Sequence, residues 1–283
     1  MKSKAFKMNT SFLLSVCSFL ESNSVEHSFF GNRITIGHPE VTIKVVSISE
    51  DKAKEIEANT SLSNESKSAV NCGHKEQVIT IYEDLWQTKN EIIKSRLLAT
   101  LGRGEVIFAR KCTVAAISEE IASKFLDKNH LLGSARCRYR YGLFFKKSLV
   151  AVATFSQARP MIRESGVLSS FEWVRYASLG SARVVGGMGR LMDYFVKMAE
   201  PQEIMTYADI DWSCGDVYKK LGFKFAGETK PIEFYVHKKT MKRVSVKKIR
   251  SDRKYRAPEF NKDDYTLVVN SGNLKFLRTF ALL

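Results

Sequence analysis

The stretch RVVGGMGR, residues 183–190, decides the fold, because it lies between a strand-like segment and an amphipathic helical segment. Three glycines in such a turn let backbone N–H groups approach an anion, and the N-terminus of the following helix adds a positive dipole end. The spacing matches neither the GxxxxGK[ST] of a P-loop nor the GxGxxG of a dinucleotide site. From the residues alone, the turn is either an anion cradle or simply a tight turn.

The segments around this turn predict strands and helices in mixed order. Residues 112–117 alternate like a strand, Ser118 begins a helix that runs to Lys128, and residues 138–145 and 148–155 form a hairpin. Further strands are predicted at 171–177, 204–208, 223–226 and 232–237, with helices at 186–199 and 215–221. This order predicts an α/β (α+β) fold with one mixed sheet and helices on both faces.

A second motif, VYKKLGF at residues 217–223, follows the turn. Together the two motifs resemble the core motifs of the GNAT acyltransferases over residues 110–240, although Met188 stands where that family has Gly or Ala. The resemblance implies that the turn holds the pyrophosphate of acetyl-CoA or a related acyl donor, and that Tyr218 protonates the thiolate leaving group. The implied donor-binding residues are Arg183, Val185, Gly186, Gly187 and Gly189.

Four further stretches, ARKC at 109–112, NHLLG at 129–133, FEWVR at 171–175 and TYAD at 206–209, resemble the GNAT-like phage proteins that include the Mom family of DNA adenine modifiers. That resemblance implies transfer of a methylcarbamoyl group to adenine N6, with His130, Asp209 and Tyr218 facing the acceptor base.

The residues themselves leave other roles open. His130 could cap a helix, Asp209 could cap the next one, and Tyr218 could belong to the core. Glu172 and Arg175 are expected to pair with each other. His130 and Asp209 could also hold a divalent metal, but two scattered residues give no ligand spacing to test.

The charge of the 283-residue chain indicates a polyanionic partner, because 45 Lys and Arg against 30 Asp and Glu give +15. Nucleic acid is expected ahead of membrane, and residues 238–256 are the densest basic block. The alternative is a solvated charged surface. The predicted DNA contacts are three arginines on one face of a strand, with aromatic rings on the other, and four residues of the basic block: Arg136, Arg138, Arg140, Lys242, Arg243, Lys247 and Lys248.

The N-terminal region resembles a Vsr-like module of phage homing-type endonucleases, most specifically over residues 82–96. Such nucleases need a metal-binding Asp in the strand that here runs through residues 40–45, and Thr42 occupies that place. We therefore expect a degenerate module that positions DNA without cutting it. Residues 50–74 are polar and lack the large apolar residues of a core.

These features predict three regions: a nuclease-like domain at 1–103, a GNAT-like domain at 104–240 and a basic extension at 241–283 that ends in a hairpin. Five scattered cysteines and the lack of a long apolar run predict a cytoplasmic protein, in an infected host cell if phage-encoded. The leading hypothesis is an acyl-like transferase acting on DNA. The alternatives are a DNA-binding homing-endonuclease derivative without transferase activity and a general N-acetyltransferase. The donor, the target sequence and the oligomeric state are left open.

Overall fold

The structure is a computed structural model that describes residues 10–48, 77–164, 166–180, 182–251 and 261–280. It forms two compact units, each built from three separate pieces of the chain. The first unit contains Met1–Asn90, Asp209–Cys214 and Thr229–Asn273, and the second contains Glu91–Ala208, Gly215–Glu228 and Leu274–Leu283. Residues 91–103 of the predicted nuclease-like domain therefore belong to the second unit, and the predicted basic extension is divided between both units.

The helices and strands have the following bounds. The helices are α1 (Thr10–Ser22), α2 (Glu83–Thr88), α3 (Asn90–Thr100), α4 (Glu119–Asn129), α5 (Gly187–Ala199), α6 (Asp216–Lys220) and α7 (Val246–Ser251). The strands are β1 (Ser28–Phe30), β2 (Arg33–Ile36), β3 (Val41–Val46), β4 (Gln77–Tyr82), β5 (Glu105–Phe108), β6 (Thr113–Ala116), β7 (Tyr139–Phe145), β8 (Ser148–Phe155), β9 (Arg159–Arg163), β10 (Gly166–Ser178), β11 (Ala182–Val185), β12 (Glu203–Asp209), β13 (Lys224–Glu228), β14 (Glu233–His237), β15 (Arg243–Ser245), β16 (Tyr265–Val269) and β17 (Asn273–Thr279).

The first unit contains two sheets. One has the order β1-β2-β3-β4, in which β3 and β4 are parallel, and the other has the order β15-β14-β16. A shared apolar cluster of Ile48, Tyr82, Val236 and Val268 lies in this unit. Strand β14 covers the segment predicted at 232–237, but it pairs with β15 and β16 rather than with the GNAT-like sheet, so that part of the prediction is wrong.

The second unit is built on a sheet of eight strands. Seven follow the order β13-β17-β12-β10-β8-β7-β6, and β9 pairs with β10 beside this path. The predicted closing hairpin is wrong: β16 pairs with β14 in the first unit, whereas β17 lies between β13 and β12 in this sheet. A separate parallel pair joins β5 to β11, directly before the glycine-rich turn.

Helices cover both faces of the large sheet. Val152 packs with Ala122 and Leu126 of α4, whereas the ring of Phe155 stacks on Phe195 of α5 at 3.9 Å between centroids. Side chains three residues apart on a strand point to opposite faces, so α4 and α5 lie on opposite sides of β8. The predicted fold class, a mixed sheet flanked by helices, is confirmed.

Local signals in this unit are also confirmed. The Ser118 hydroxyl accepts a hydrogen bond from the N–H of Ile121 at the start of α4. Lys146 and Lys147 both have positive φ angles, of 47° and 67°, in the two-residue turn between β7 and β8. None of the described helices is both long enough and apolar enough to cross a membrane.

Candidate functional site

A β-bulge in β10 sets the direction of the side chains around the candidate site. Trp173 lies opposite Phe155 of β8, and Arg175 lies opposite Thr154. Because Phe155 and Thr154 are neighbours that point to opposite faces, Trp173 and Arg175 also point to opposite faces, although they are two residues apart. The bulge thus leaves Trp173 on the α5 face and turns Arg175 to the α4 face.

Arg175 is largely buried and has no carboxylate partner. Its Nε donates to the carbonyl oxygen of Gly133 at 3.2 Å, and its Nη1 donates to that of Val174 at 2.8 Å. The expected pairing with Glu172 is not formed, and no carboxylate of a described residue lies within 4 Å of the guanidinium. Burial lowers the pKa of Arg175, and nearby Cys137 and Glu172 act in the opposite direction.

His130 follows the last turn of α4 and caps it, which is one of the roles that the sequence left open for this residue. Its N–H bonds to the carbonyl of Leu126, and its Nδ1 accepts a hydrogen bond from the N–H of Leu132 at 3.1 Å. Burial, and then the nearby charges of Arg175 and Arg96, lower the pKa of His130 to about 3. The imidazole is therefore neutral at pH 7, with its proton on Nε2, and it is a weak base.

Tyr218 lies in α6, with its ring among other aromatic rings. It contacts Trp173, Phe223 and Phe276 at centroid distances of 6.1, 5.8 and 5.5 Å. Its hydroxyl is hydrogen-bonded to Thr206, and burial raises its pKa above the ordinary value for tyrosine. The ring thus belongs to the core, as the alternative had it, while the hydroxyl keeps its proton at neutral pH.

Arg96 of α3 connects two of the predicted catalytic residues. Its charge lowers the pKa of both His130 and Tyr218, so these side chains lie within electrostatic range of one guanidinium. Asp209, the third predicted residue, belongs to the first unit. Its Oδ1 accepts a hydrogen bond from the N–H of Asp211 at 3.1 Å, in a turn at the end of β12.

The glycine-rich turn has the geometry of a helix N-terminus open to an anion. Gly186 has φ 77° and ψ 3° and is the N-cap of α5. The N–H of Arg190 makes the first intrahelical bond, to Gly186, so the amides of residues 187–189 precede it. A Cβ added at Gly187 would lie 2.7 Å from the Tyr176 hydroxyl, so this glycine is needed for packing, and the anion would meet the backbone instead.

A shallow depression of about 380 Å³ adjoins this turn. Exposed guanidinium groups of Arg110 and Arg190 line it, together with the carboxylate of Asp193. The other lining residues are Phe108, Ala109, Val185, Gly186 and Gly189. Two cations beside the positive end of a helix suit a pyrophosphate, so these residues fit the diphosphate of an acyl-coenzyme A. Arg183 is exposed on β11, one turn before the helix.

The three arginines predicted to contact DNA differ from one another. Arg136 and Arg138 are exposed and precede β7. Arg140 donates to the carbonyl of Cys137 and lies 3.8 Å from Glu119. The rings predicted to stack on bases are core residues instead: Tyr139 and Tyr141 both pack against Phe195, on the face that α5 covers.

The basic block contains both exposed and buried cations. Lys242, Lys247 and Lys248 are exposed. Arg243, which we predicted to contact DNA, instead forms a two-pronged ion pair with the buried Asp84 at 2.6 and 2.7 Å. Its guanidinium also lies over the rings of Tyr82 and Phe234, so it is committed within the first unit. Residues 252–260 of the block lie outside the described residues.

The predicted nuclease-like region places its acidic groups inside the first unit. Thr42 is buried in β3, and the Glu83 carboxylate accepts a hydrogen bond from the N–H of Ile48 at 2.7 Å. Among the described residues, no group of three or more His, Cys, Asp and Glu side chains could hold a metal ion. The polar stretch 50–74 lies outside the described residues, so the expected lack of cleavage stays a prediction.

No family model matches the sequence, and no curated protein matches it. Solved structures that resemble the fold are acetyltransferases. One is a GNAT family acetyltransferase from Elizabethkingia anophelis, solved with acetyl-CoA bound, which is 11% identical, spans 60% of this chain and 99% of its own, and has a TM-score of 0.36. A second, described as histone acetyltransferase HPA2 and related acetyltransferase from Corynebacterium glutamicum, is 12% identical, spans 61% of this chain and 98% of its own, and has a TM-score of 0.36. A third, an IAA acetyltransferase from Bacillus cereus, is 12% identical, spans 60% of this chain and 99% of its own, and has a TM-score of 0.34.

Sequence reasoning missed three cations of these sites. Arg96 lies in the stretch that resembles the nuclease module, Arg110 lies in the ARKC stretch, and Arg190 lies at the end of the glycine-rich turn, but none of them was predicted as a site residue. The signal that could have drawn attention to Arg110 and Arg190 is a cation on either side of a glycine-rich turn. The role of Arg96 has no local signal, because it depends on the packing of α3 in the second unit.

Proposed function

We propose that the second unit is an N-acyltransferase of the GNAT type. The observation that carries the proposal is that β10 and β12 are paired along only part of their length. Their parallel pairing covers Ser170–Glu172, and beyond it the Thr206 hydroxyl of β12 donates to the carbonyl of Trp173 at 3.2 Å. This opening lies where the bulge of β10 occurs and where Tyr176 meets the first turn of α5, so an acyl group held at the turn could enter between the strands.

An acyl-coenzyme A donor would supply an acyl group activated as a thioester. In this chain, the amides of residues 187–189 with Arg110 and Arg190 would hold its diphosphate. The glycine at position 187 keeps the start of α5 close to Tyr176 and so fixes the turn against the sheet. Both features bind and orient the donor and leave the chemical step to groups nearer the opening.

The chemical step needs one proton to be removed from the acceptor amine and one to be delivered to sulfur. The amine nitrogen forms a bond to the acyl carbon while the carbon–sulfur bond breaks. We assign Tyr218 to the delivery, because its buried hydroxyl is protonated at neutral pH and is held by Thr206. The proton released by the amine returns to Tyr218 through solvent. His130 is too weak a base to take that proton, and we assign its Nε2–H to orienting the acceptor.

Within this class we propose an amino group of nucleic acid as the acceptor, adenine N6 in DNA being the specific candidate. The net charge of +15 and the exposed Lys242, Lys247 and Lys248 support this choice. An adenine in a duplex would have to be flipped out of the stack, at a cost of a few kcal/mol. A general N-acetyltransferase with a small amine as acceptor is the second candidate.

The test combines purified protein, acetyl-CoA and either an adenine-containing duplex or a panel of small amines, with mass spectrometry of the products. We expect acylated nucleosides, and we expect Tyr218→Phe to lower kcat by about 10²-fold or more. Tyr194→Phe, which also removes a phenol beside aromatic rings, is the matched control. Acylation of small amines alone would leave the enzyme class standing and exclude DNA. Acylation of neither would refute the transferase.

A further inference from the structure

Two partly buried arginines, Arg140 and Arg175, lie on the α4 face of the large sheet, and neither is hydrogen-bonded to a carboxylate of a described residue. Arg140, Thr154 and Arg175 lie directly opposite one another on β7, β8 and β10. Thr154 has the same strand parity as Val152, which faces α4, so the whole row lies on that face. His130, at the end of α4, adjoins this row, because the N–H of Gly133 bonds to the His130 carbonyl and the Gly133 carbonyl accepts from Arg175.

The hydrogen bonds of the two arginines leave donors without partners. Arg175 uses Nε and Nη1 on backbone carbonyls, so its Nη2 has no protein partner among the described residues. The Nε of Arg140 is buried and likewise has no partner in the described part of the chain. Its nearest carboxylate, Glu119, is 3.8 Å away and 71% exposed, so it offers weak compensation.

Such an arrangement is costly unless an anion joins it. A buried guanidinium without a counter-ion loses hydration that backbone carbonyls replace only in part. Buried donors without partners are rare in folded proteins, and those that occur call for a specific explanation. The neighbouring imidazole of His130 is held neutral, so it can donate from Nε2 to an oxyanion.

We propose that Arg175, with Arg140 and the Nε2–H of His130, binds a phosphate group carried by the acceptor. The subsite rests on the proposed function in one respect, that the phosphate belongs to the acceptor of the acyl group. The binding of phosphate itself does not depend on acyl transfer. A phosphate is preferred to a carboxylate because it accepts hydrogen bonds on three oxygens, which matches three separate donors, and because the charge of the chain suits a polyanionic strand.

The experiment measures binding without any donor present, by calorimetry and by NMR titration of His130. The probes are 2′-deoxyadenosine 5′-monophosphate, 2′-deoxyadenosine, inorganic phosphate and succinate. We expect the nucleotide to bind about tenfold or more tightly than the nucleoside, inorganic phosphate to compete with it, and bound phosphate to raise the pKa of His130.

The variants separate this subsite from a merely structural role. Arg175→Gln should lose the preference for the nucleotide and abolish the phosphate-dependent change in the pKa of His130, whereas Arg175→Lys should retain part of both. Arg159→Gln removes an exposed arginine of β9 and is the matched control. Circular dichroism establishes that each variant is folded.

Equal binding of nucleotide and nucleoside, stronger binding of succinate than of phosphate, or an unchanged Arg175→Gln variant would each overturn the proposal. Phosphate binding by a protein that transfers no acyl group would keep the subsite and refute the proposed function. Acyl transfer with no phosphate preference would do the reverse.

Discussion

Arg243 of the first unit and Arg175 of the second are both largely shielded from solvent, and they are satisfied in opposite ways. Two nitrogens of Arg243 donate to the carboxylate of Asp84, and its guanidinium carbon lies 5.0 Å from the ring centroids of Tyr82 and Phe234. Arg175 has two backbone carbonyls and no carboxylate among the described residues. Asp84 neutralises Arg243 within the protein, whereas Arg175 is the arginine that we propose binds a phosphate. A buried charge with all its partners has a structural explanation, and one without them calls for another.

Both units bury acidic groups against internal partners. In the first unit these are Asp84 on Arg243, Glu83 on Ile48, and Asp211 on the hydroxyl of Ser271 at 2.6 Å, and in the second unit Glu203 pairs with Arg163 at 2.7 Å. The second unit contains the open helix N-terminus, the bulge and the neutral histidine. We infer that the first unit contributes structure and surface charge, and that chemistry belongs to the second.

The largest expected effect comes from removing the counter-ion of Arg243. Asp84→Asn leaves a buried guanidinium without its counter-ion and should reduce the free energy of unfolding by about 3–5 kcal/mol, measured by chemical denaturation. Asp216→Asn is the control, because its ion pair with Lys219 is exposed and should contribute about 0.5 kcal/mol or less. A loss below about 1 kcal/mol for Asp84→Asn would remove the contrast between the two arginines.

The second prediction concerns the exposed lysines of the first unit. Replacing Lys242, Lys247 and Lys248 by Gln should reduce the slope of log affinity for DNA against log salt by up to about 2.7, since each phosphate contact contributes about 0.9. Arg243 is excluded from this set because Asp84 occupies it. Equilibrium binding to duplex DNA at several salt concentrations measures the slope. A slope that does not change would assign DNA affinity to the second unit or to residues 252–260.

How far the sequence predicted this fold depends on whether a signal is local. The Ser118 cap, the Lys146–Lys147 turn and the alternation in β7 and β8 are local, and they were predicted correctly. Strand β9 was missed, because Arg159-Pro160 and the charges around them disguise a short paired segment.

Long-range partners were beyond local signals. The turn at residues 270–273 favoured a hairpin, yet Ser271 bonds to Asp211 and the two flanking strands join different sheets. The pairing of Asp84 with Arg243 spans 159 positions, and no periodicity reveals it. In the candidate site, sequence motifs were enough to identify the glycine turn and Tyr218. The orientation of Arg175 depends on a β-bulge, which only the strand pairing shows.

The third prediction addresses the open turn of the second unit. Arg190→Glu replaces a cation beside the start of α5 with an anion and should weaken binding of coenzyme A by about tenfold or more, measured by calorimetry. Arg33→Glu makes the same change on the exposed surface of β2 and should have no effect. If both variants bind coenzyme A as the unchanged protein does, the depression beside the turn is not the donor site.

The last prediction concerns His130. Its pKa of about 3 in the folded state lies below the value of about 6.5 that it has in an unfolded chain, because burial and the charges of Arg175 and Arg96 disfavour the imidazolium. Above pH 6.5 both states are neutral at this residue, and its contribution to stability is complete. As the pH falls from 6.5 toward 3, the unfolded state binds a proton that the folded state does not, so stability is lost across that window. His130→Asn keeps the backbone cap of α4 and a side chain that can accept the hydrogen bond from the N–H of Leu132, but it cannot titrate. We therefore expect its free energy of unfolding to fall less between pH 7 and pH 5 than that of the unchanged protein, by about 2 kcal/mol. Since other groups titrate in both proteins, the difference between the two curves is the quantity to measure.

Saturating phosphate should shrink that difference if the oxyanion binds beside His130, because a bound anion offsets the repulsion from the two arginines. Parallel curves with and without phosphate would mean that the histidine is a helix cap alone.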